Sequence, residues 1–235
     1  MFIQPKMKID VNPWVFPEIP RVFRTVFYEH CTLKTIRKGD KINFNSGSIE
    51  NNKKFFILLN KGVLLNYREI NATNKELFTG VVLPNRVAGH NNFLNLTDNS
   101  EFLIASVDSE VMFLSVDNLK AAFLQTKDLK DCVYQYCISC LKSESEGAHI
   151  IGTKNVDQRV RLLFHSLMNA YPKDENNDTY KIPLKLTNEE IRKVIFATRK
   201  TINTLIPKWK RSNLYQLDKN STIINKKLII FNKFL

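Results

Sequence analysis

Cysteine, histidine and glycine are scarce in this chain, at four, four and seven of 235 residues. Four cysteines are too few for a disulfide-stapled scaffold, and in a chain of this size they read as reduced thiols. His90 and His149 have no second histidine or carboxylate at metal spacing, so both read as structural or surface residues and no metal site is expected. None of the glycines builds a phosphate-binding loop, and neither a nucleophile elbow nor a metalloprotease helix occurs. No enzyme site and no cofactor follow. Long apolar runs are also missing: nothing approaches the roughly 20 residues needed to span a bilayer. Met1 to Lys6 lacks the charged start and apolar run of a secretory signal, so a cytoplasmic protein with no membrane partner is expected.

Acidic residues are outnumbered. The net charge is +12 and the pI about 9.5, which favours an anionic partner, nucleic acid or membrane surface. The excess is lopsided. From Lys185 to Leu235 there are twelve Lys or Arg against three Asp or Glu, an excess of nine. With 43% hydrophobic residues the chain can bury one large core or two modest ones.

The texture changes along the chain. A short helix is expected from Pro20 to His30. Then β-branched or aromatic runs alternate with turns: Thr32–Ile36, Lys41–Phe44, Phe55–Leu59, Val63–Ile70, Leu77–Val82, Phe102–Val107 and Val111–Val116. This spacing reads as an antiparallel barrel or sandwich, with Gly39 and Gly62 where the backbone needs positive φ. After Val116 the period lengthens to that of helices. Asn118–Leu124 is short. Asp128 to about Ala148 is long, with a stripe of Leu129, Cys132, Val133, Tyr136, Cys140 and Leu141 that the same helix of a second subunit can cover. Gly147–Asn155 reads as a hinge, Val156–Ala170 as another helix and Pro172–Tyr180 as an exposed loop.

Thr187-Asn188-Glu189-Glu190 is a capping box that starts a helix with Ile191, Val194 and Ile195 inside. A break follows at Phe196-Ala197. Thr198 can cap a second helix with Ile202, Leu205 and Trp209 on its apolar face. Two short helices joined this tightly have the helix-turn-helix layout, in which the first turn of the second helix enters the major groove. That turn carries Arg199, Lys200 and Thr201, followed by Asn203 and Thr204. Arg can bind guanine bidentately, and Thr or Asn can reach base edges or phosphates. Lys208, Lys210 and Arg211 suit phosphate contacts. Leu214–Leu217 and Thr222–Ile224, joined by Asp218-Lys219-Asn220-Ser221, read as a hairpin wing.

The run from Leu186 to Leu205, with Val156-Asp-Gln-Arg159-Val160-Arg-Leu-Leu163 upstream of it, resembles the winged helix-turn-helix of the Crp/Fnr family of bacterial transcription regulators. The resemblance implies an α+β protein: an N-terminal antiparallel β-roll of the cyclic-nucleotide-binding type (residues 1–126), a dimerisation helix with hinge (127–152) and a winged helix-turn-helix (153–235). It implies a homodimer on a two-fold symmetric double-stranded promoter site, with RNA polymerase a candidate further partner. It places Arg199, Lys200 and Thr204 where the family reads bases and Thr198 and Thr201 where it contacts phosphate. Thr187 joins the candidate DNA-binding residues at the start of the first helix. Three positions depart from the family: Phe196 stands where a small residue is usual in the turn, Pro207 sits inside the second helix, and Lys200 replaces a common acid. A kink or early end is expected at Pro207.

Cyclic-nucleotide members carry a Glu for the ribose and an Arg for the cyclic phosphate. The matching stretch, Val87–Phe93 and on to Glu101, has neither, and Asn99 stands near the Arg position, so cyclic-nucleotide dependence is not expected. Cys132 and the pair Cys137-Ile138-Ser139-Cys140 lie on the long helix at spacings that fit its stripe. They read as buried small hydrophobes, with a redox role left open. The alternative is a ligand- or redox-sensing dimer whose helix-turn-helix contacts protein. A further one is a regulator governed by its own abundance, without any small ligand.

Overall fold

The computed structural model describes residues 12–44, 54–70, 75–96, 101–171, 178–219 and 221–229. Helix α1 (Arg21–His30) leads into strands β1 (Leu33–Ile36), β2 (Lys41–Asn43), β3 (Phe55–Lys61), β4 (Leu64–Ile70), β5 (Lys75–Val82) and β6 (Arg86–Ala88). The short α2 (His90–Phe93) precedes β7 (Glu101–Ala105) and β8 (Ser109–Ser115). Helices α3 (Val116–Gln125), α4 (Leu129–Thr153) and α5 (Val156–Asn169) follow. The chain continues with β9 (Thr179–Ile182), α6 (Asn188–Val194), α7 (Arg199–Arg211), β10 (Tyr215–Leu217), β11 (Thr222–Asn225) and α8 (Lys226–Ile229).

Two four-stranded antiparallel sheets, ordered β1-β8-β3-β6 and β2-β7-β4-β5, form the β-roll. β3 is central because Phe55–Leu59 is apolar on both faces and buried on both. β8, between β1 and β3, buries Ser109, Val111, Met112 and Leu114 and leaves Glu110, Phe113 and Ser115 half-buried. Gly62, at φ 104°, turns β3 into β4 where any Cβ would collide with Ser109 Oγ, and Gly39 also has positive φ.

Sequence and structure differ at several points. β6 pairs with β3 but is only three residues long and was not foreseen. The segment read as a loop to Tyr180 contains the start of β9, which pairs with β11 and makes the wing hairpin three-stranded. The hinge is shorter than Gly147–Asn155. α4 runs to Thr153, and the chain turns at Lys154 and Asn155, where Asn155 and Gln158 cap α5 reciprocally. Gly147 lies within α4, and only glycine fits there because Trp14 packs where a Cβ would be.

The stripe of α4 is covered largely by its own chain, with Cys132 and Leu141 half-buried. Leu129, Val133, Tyr136, Cys137 and Cys140 are buried beside α1 and the β-roll, with Phe23 edge-on to Tyr136 at 5.8 Å. The Tyr136 hydroxyl donates to the Val87 carbonyl and accepts from its N–H, both at 2.8 Å. A thinner apolar face remains exposed, formed by Tyr134 and Ile138, at 39% and 40%.

A second core runs from β4 and β5 through Trp14 and Val15 into α5, α6, α7 and the wing. Polar contacts join the same parts. The buried Arg86 guanidinium donates to the carbonyls of Phe16 (2.7 Å), Pro84 (2.8 Å) and Ala170 (3.2 Å), the last of these capping α5. Ser106 donates to Glu190 at 2.7 Å, and Lys193 pairs with Glu76 at 3.5 Å.

Candidate nucleic-acid interface

Helix α6 starts as its sequence requires. Glu190 N–H donates to Thr187 Oγ1 at 3.1 Å, and Thr187 N–H and hydroxyl both donate to Glu190 Oε2, at 2.7 and 2.8 Å. The helix ends at Ile195, and Phe196 takes φ 52°, the left-handed conformation that usually favours glycine. The Phe196 side chain stays 47% exposed. Arg159 stitches the turn from outside, donating to the carbonyls of Lys154, Ile195 and Phe196.

Thr198 then caps α7 through Thr201 N–H at 3.2 Å. Ile202, Ile206 and Trp209 are buried; Leu205, assigned to the core from spacing, is half-buried and Ile206 takes its place. α7 does not end at Pro207 but continues to Arg211. A proline within a helix costs about 3 kcal/mol, whereas burying Ile206 and Trp209 each returns roughly 1.5–3 kcal/mol, so packing carries the helix through.

The candidate residues form a graded surface. Arg199 and Lys200 are exposed at the first turn, and their side chains make no hydrogen bond or ion pair among the described residues. The Thr198 and Thr201 hydroxyls bond each other at 2.8 Å, and Thr187 is committed to Glu190. Thr204 donates to Lys200 O at 3.0 Å, leaving its hydroxyl oxygen as acceptor. Lys208, Lys210 and Arg211 are exposed on the last turn, where cations also suit the helix dipole. Lys210 borders the hairpin near Tyr215 and Gln216.

Two residues of α6 were not singled out from sequence. Asn188 and Glu189 line a groove of about 280 Å³ together with Arg199 and Asn203. Asn188 Nδ2 donates to Asn203 Oδ1 at 3.1 Å. Arg192 grips Glu189 with two hydrogen bonds, one of 2.9 Å from Nε and one from Nη2, and these hold the Glu189 carboxyl below the usual range. A pair split between two helices has no signature in local spacing.

No protein-family model and no curated protein matches the sequence. Solved structures do. FixK2 from Bradyrhizobium japonicum aligns over 84% of this chain and 95% of its own, with TM-score 0.67 and 13% identity. A CooA mutant from Carboxydothermus hydrogenoformans aligns over 93% and 97%, with TM-score 0.67 and 14% identity. CprK complexed with OCPA aligns over 92% and 96%, with TM-score 0.64 and 17% identity. The chain has the Crp/Fnr fold.

Within that fold, the β-roll holds a packed polar cluster. Gly89, at φ 111° and tight against the Phe55 carbonyl, starts α2. α2 turns His90, Asn91 and Asn92 inward, and all three are buried. The buried Glu101 carboxylate accepts from Asn66 (2.6 Å), Asn91 (3.0 Å) and Asn92 (3.5 Å). His90 lies 3.4 Å from Glu144 of α4, an ion-pair distance rather than an aligned hydrogen bond. Burial opposes charge on His90, but Glu144 and Glu101 outweigh it and raise the imidazole pKa above 6.5. His149 is exposed. The Asn99 position lies outside the described residues.

The cysteines are thiols in apolar surroundings. Burial pushes Cys31 up to about 11 and Cys137 up to about 12, and raises Cys132 and Cys140 as well. A redox-sensing thiol needs the opposite shift. Among the described residues no cluster could hold a metal ion, and no helix is long and apolar enough to cross a membrane.

Proposed function

We propose that this chain is a homodimeric, sequence-specific DNA-binding transcription regulator of Crp/Fnr type, located in the cytoplasm, which works without cyclic nucleotide. The observation that carries the reading is the capped start of α7, where Arg199 and Lys200 stand exposed and unpaired beside a basic last turn. Arg199, Lys200, Asn203 and Thr204 read bases. Thr187, Thr198, Thr201, Lys208, Lys210 and Arg211 bear on phosphates. The working units are residues 1–126 as sensor, 127–152 as dimerisation helix and 153–235 as reader, with RNA polymerase a further partner.

The exposed Tyr134 and Ile138, one turn apart on α4, support the homodimer. Two copies would set their α7 helices in successive major grooves roughly 34 Å apart. Independence from cyclic nucleotide is supported by the buried cluster itself, where the Glu101 carboxyl already takes amide donors of Asn66, Asn91 and Asn92 that a phosphate would need. The test is a gel-shift titration of the full chain on genomic fragments across salt, with mass measured in solution. A steep salt dependence, a preferred fragment and a dimeric mass are expected, and cyclic AMP or GMP should change none of them. Arg199→Ala should cost roughly 1–3 kcal/mol and relax specificity.

The exposed Phe196 favours a second reading, in which the helix-turn-helix docks on protein. A dimer with no salt-dependent DNA affinity would select it.

A further inference from the structure

The reading surface of α7 is completed by α6. Asn203 lies one turn after Arg199 and is exposed, yet its amide is already engaged by Asn188, fifteen residues earlier on the other helix. The two helices are locked by buried Ile191, Val194, Ile202 and Ile206, so the 3.1 Å contact joins two fixed backbones. Both amides face the groove that holds Arg199.

A primary amide has an accepting pole and a donating pole, and free rotation would present either to DNA. Here Asn188 Nδ2 holds the accepting pole. Asn203 Oδ1 faces Asn188 and accepts from it with one lone pair, keeping a second; both Nδ2 hydrogens stay free among the described residues. Adenine presents an N6–H donor beside the N7 acceptor on its major-groove edge, the pattern that an Asn amide matches bidentately. Guanine presents two acceptors there and matches Arg.

We infer that Asn188 is a positioning residue for base reading: it orients the Asn203 amide so that α7 selects an adenine near the guanine bound by Arg199. This rests on the DNA-reading function proposed above.

The experiment is selection of binding sites from a randomised duplex library by the full-length chain and its variants, with thermal unfolding of each. The wild type shows two separate preferences per half-site, for guanine and for adenine, each roughly 5- to 150-fold. Asn203→Ala removes the adenine preference alone. Asn188→Ala lowers it at least about threefold, leaves the guanine preference in place, and has no further effect on Asn203→Ala. Asn188→Asp is the sharper variant. Its carboxylate only accepts, so it turns the Asn203 amide round and abolishes the adenine preference. A carboxylate on the first turn also suits the helix N-terminus, so stability is kept or gained.

An adenine preference unchanged in Asn188→Ala, or effects of the two alanine variants that simply add, overturns the inference while the DNA-reading function stands. A wild type without any base preference overturns both.

Discussion

Replacing Arg86 with methionine removes a guanidinium that holds three parts of the chain together. Its bond to the Phe16 carbonyl is buried; those to Pro84 and Ala170 are part-buried. A buried bond from a charged donor is worth about 1.5–3 kcal/mol, and each of the others about 0.5–1 kcal/mol because water can replace the donor. Methionine fills a similar volume and needs no desolvation, which returns about 1 kcal/mol. The net loss is about 1.5–4 kcal/mol. In a chain of this size each kcal/mol lowers Tm by roughly 2–4 °C, so thermal unfolding should drop by about 3–16 °C. Arg86→Lys should fall between, since one ammonium cannot span acceptors on the N-terminal segment and on α5. A drop under about 2 °C for the methionine variant would show that Arg86 is not what fastens α5 to the β-roll.

Other perturbations test other parts. His90 has its folded pKa raised above 6.5, so its contribution is fully present below about pH 6.5 and lost as pH rises through the folded value. The Tm advantage of wild type over His90→Gln should therefore shrink as pH rises above about 6.5; a flat or opposite trend refutes the pairing with Glu144. Arg192→Ala frees Glu189 to face Arg199, and DNA affinity should fall about two- to fivefold, as exposed ion pairs allow. Glu189→Gln should restore it; failure to do so would make Arg192 a direct DNA contact. Pro207→Ala gives α7 back a backbone donor for the Asn203 carbonyl and should raise stability by about 1–3 kcal/mol in denaturant unfolding, and no gain would mean the helix has already relaxed around the proline.

Interactions that close within a turn or two were legible in sequence. Thr187 with Glu190 and Thr198 with Thr201 cap their helices three residues apart, so side-chain chemistry alone locates both starts. The runs of β3, β4 and β8 announce themselves by composition, because each must present apolar surface whatever its partner. Gly39 and Gly62 were legible as turns. The basic character of α7 was legible because charge needs no folding to be counted.

Other features depended on which distant segments meet. β6 and β9 are three and four residues long, too short for a period to show, and exist because β3 and β11 offer them an edge. The α4 stripe pointed to a second subunit, yet α1 and the β-roll cover it and leave the narrower face of Tyr134 and Ile138 outside. A kink or an early end was expected at Pro207; α7 does not end there, and tertiary burial of Ile206 and Trp209 carries it on to Arg211. Asn188 meets Asn203 only because α6 and α7 pack. Sequence alone determined where helices begin, where charge gathers and which runs must be inside. The tertiary structure decided which face is covered and which side chains meet, because those outcomes depend on contacts between residues far apart in the chain.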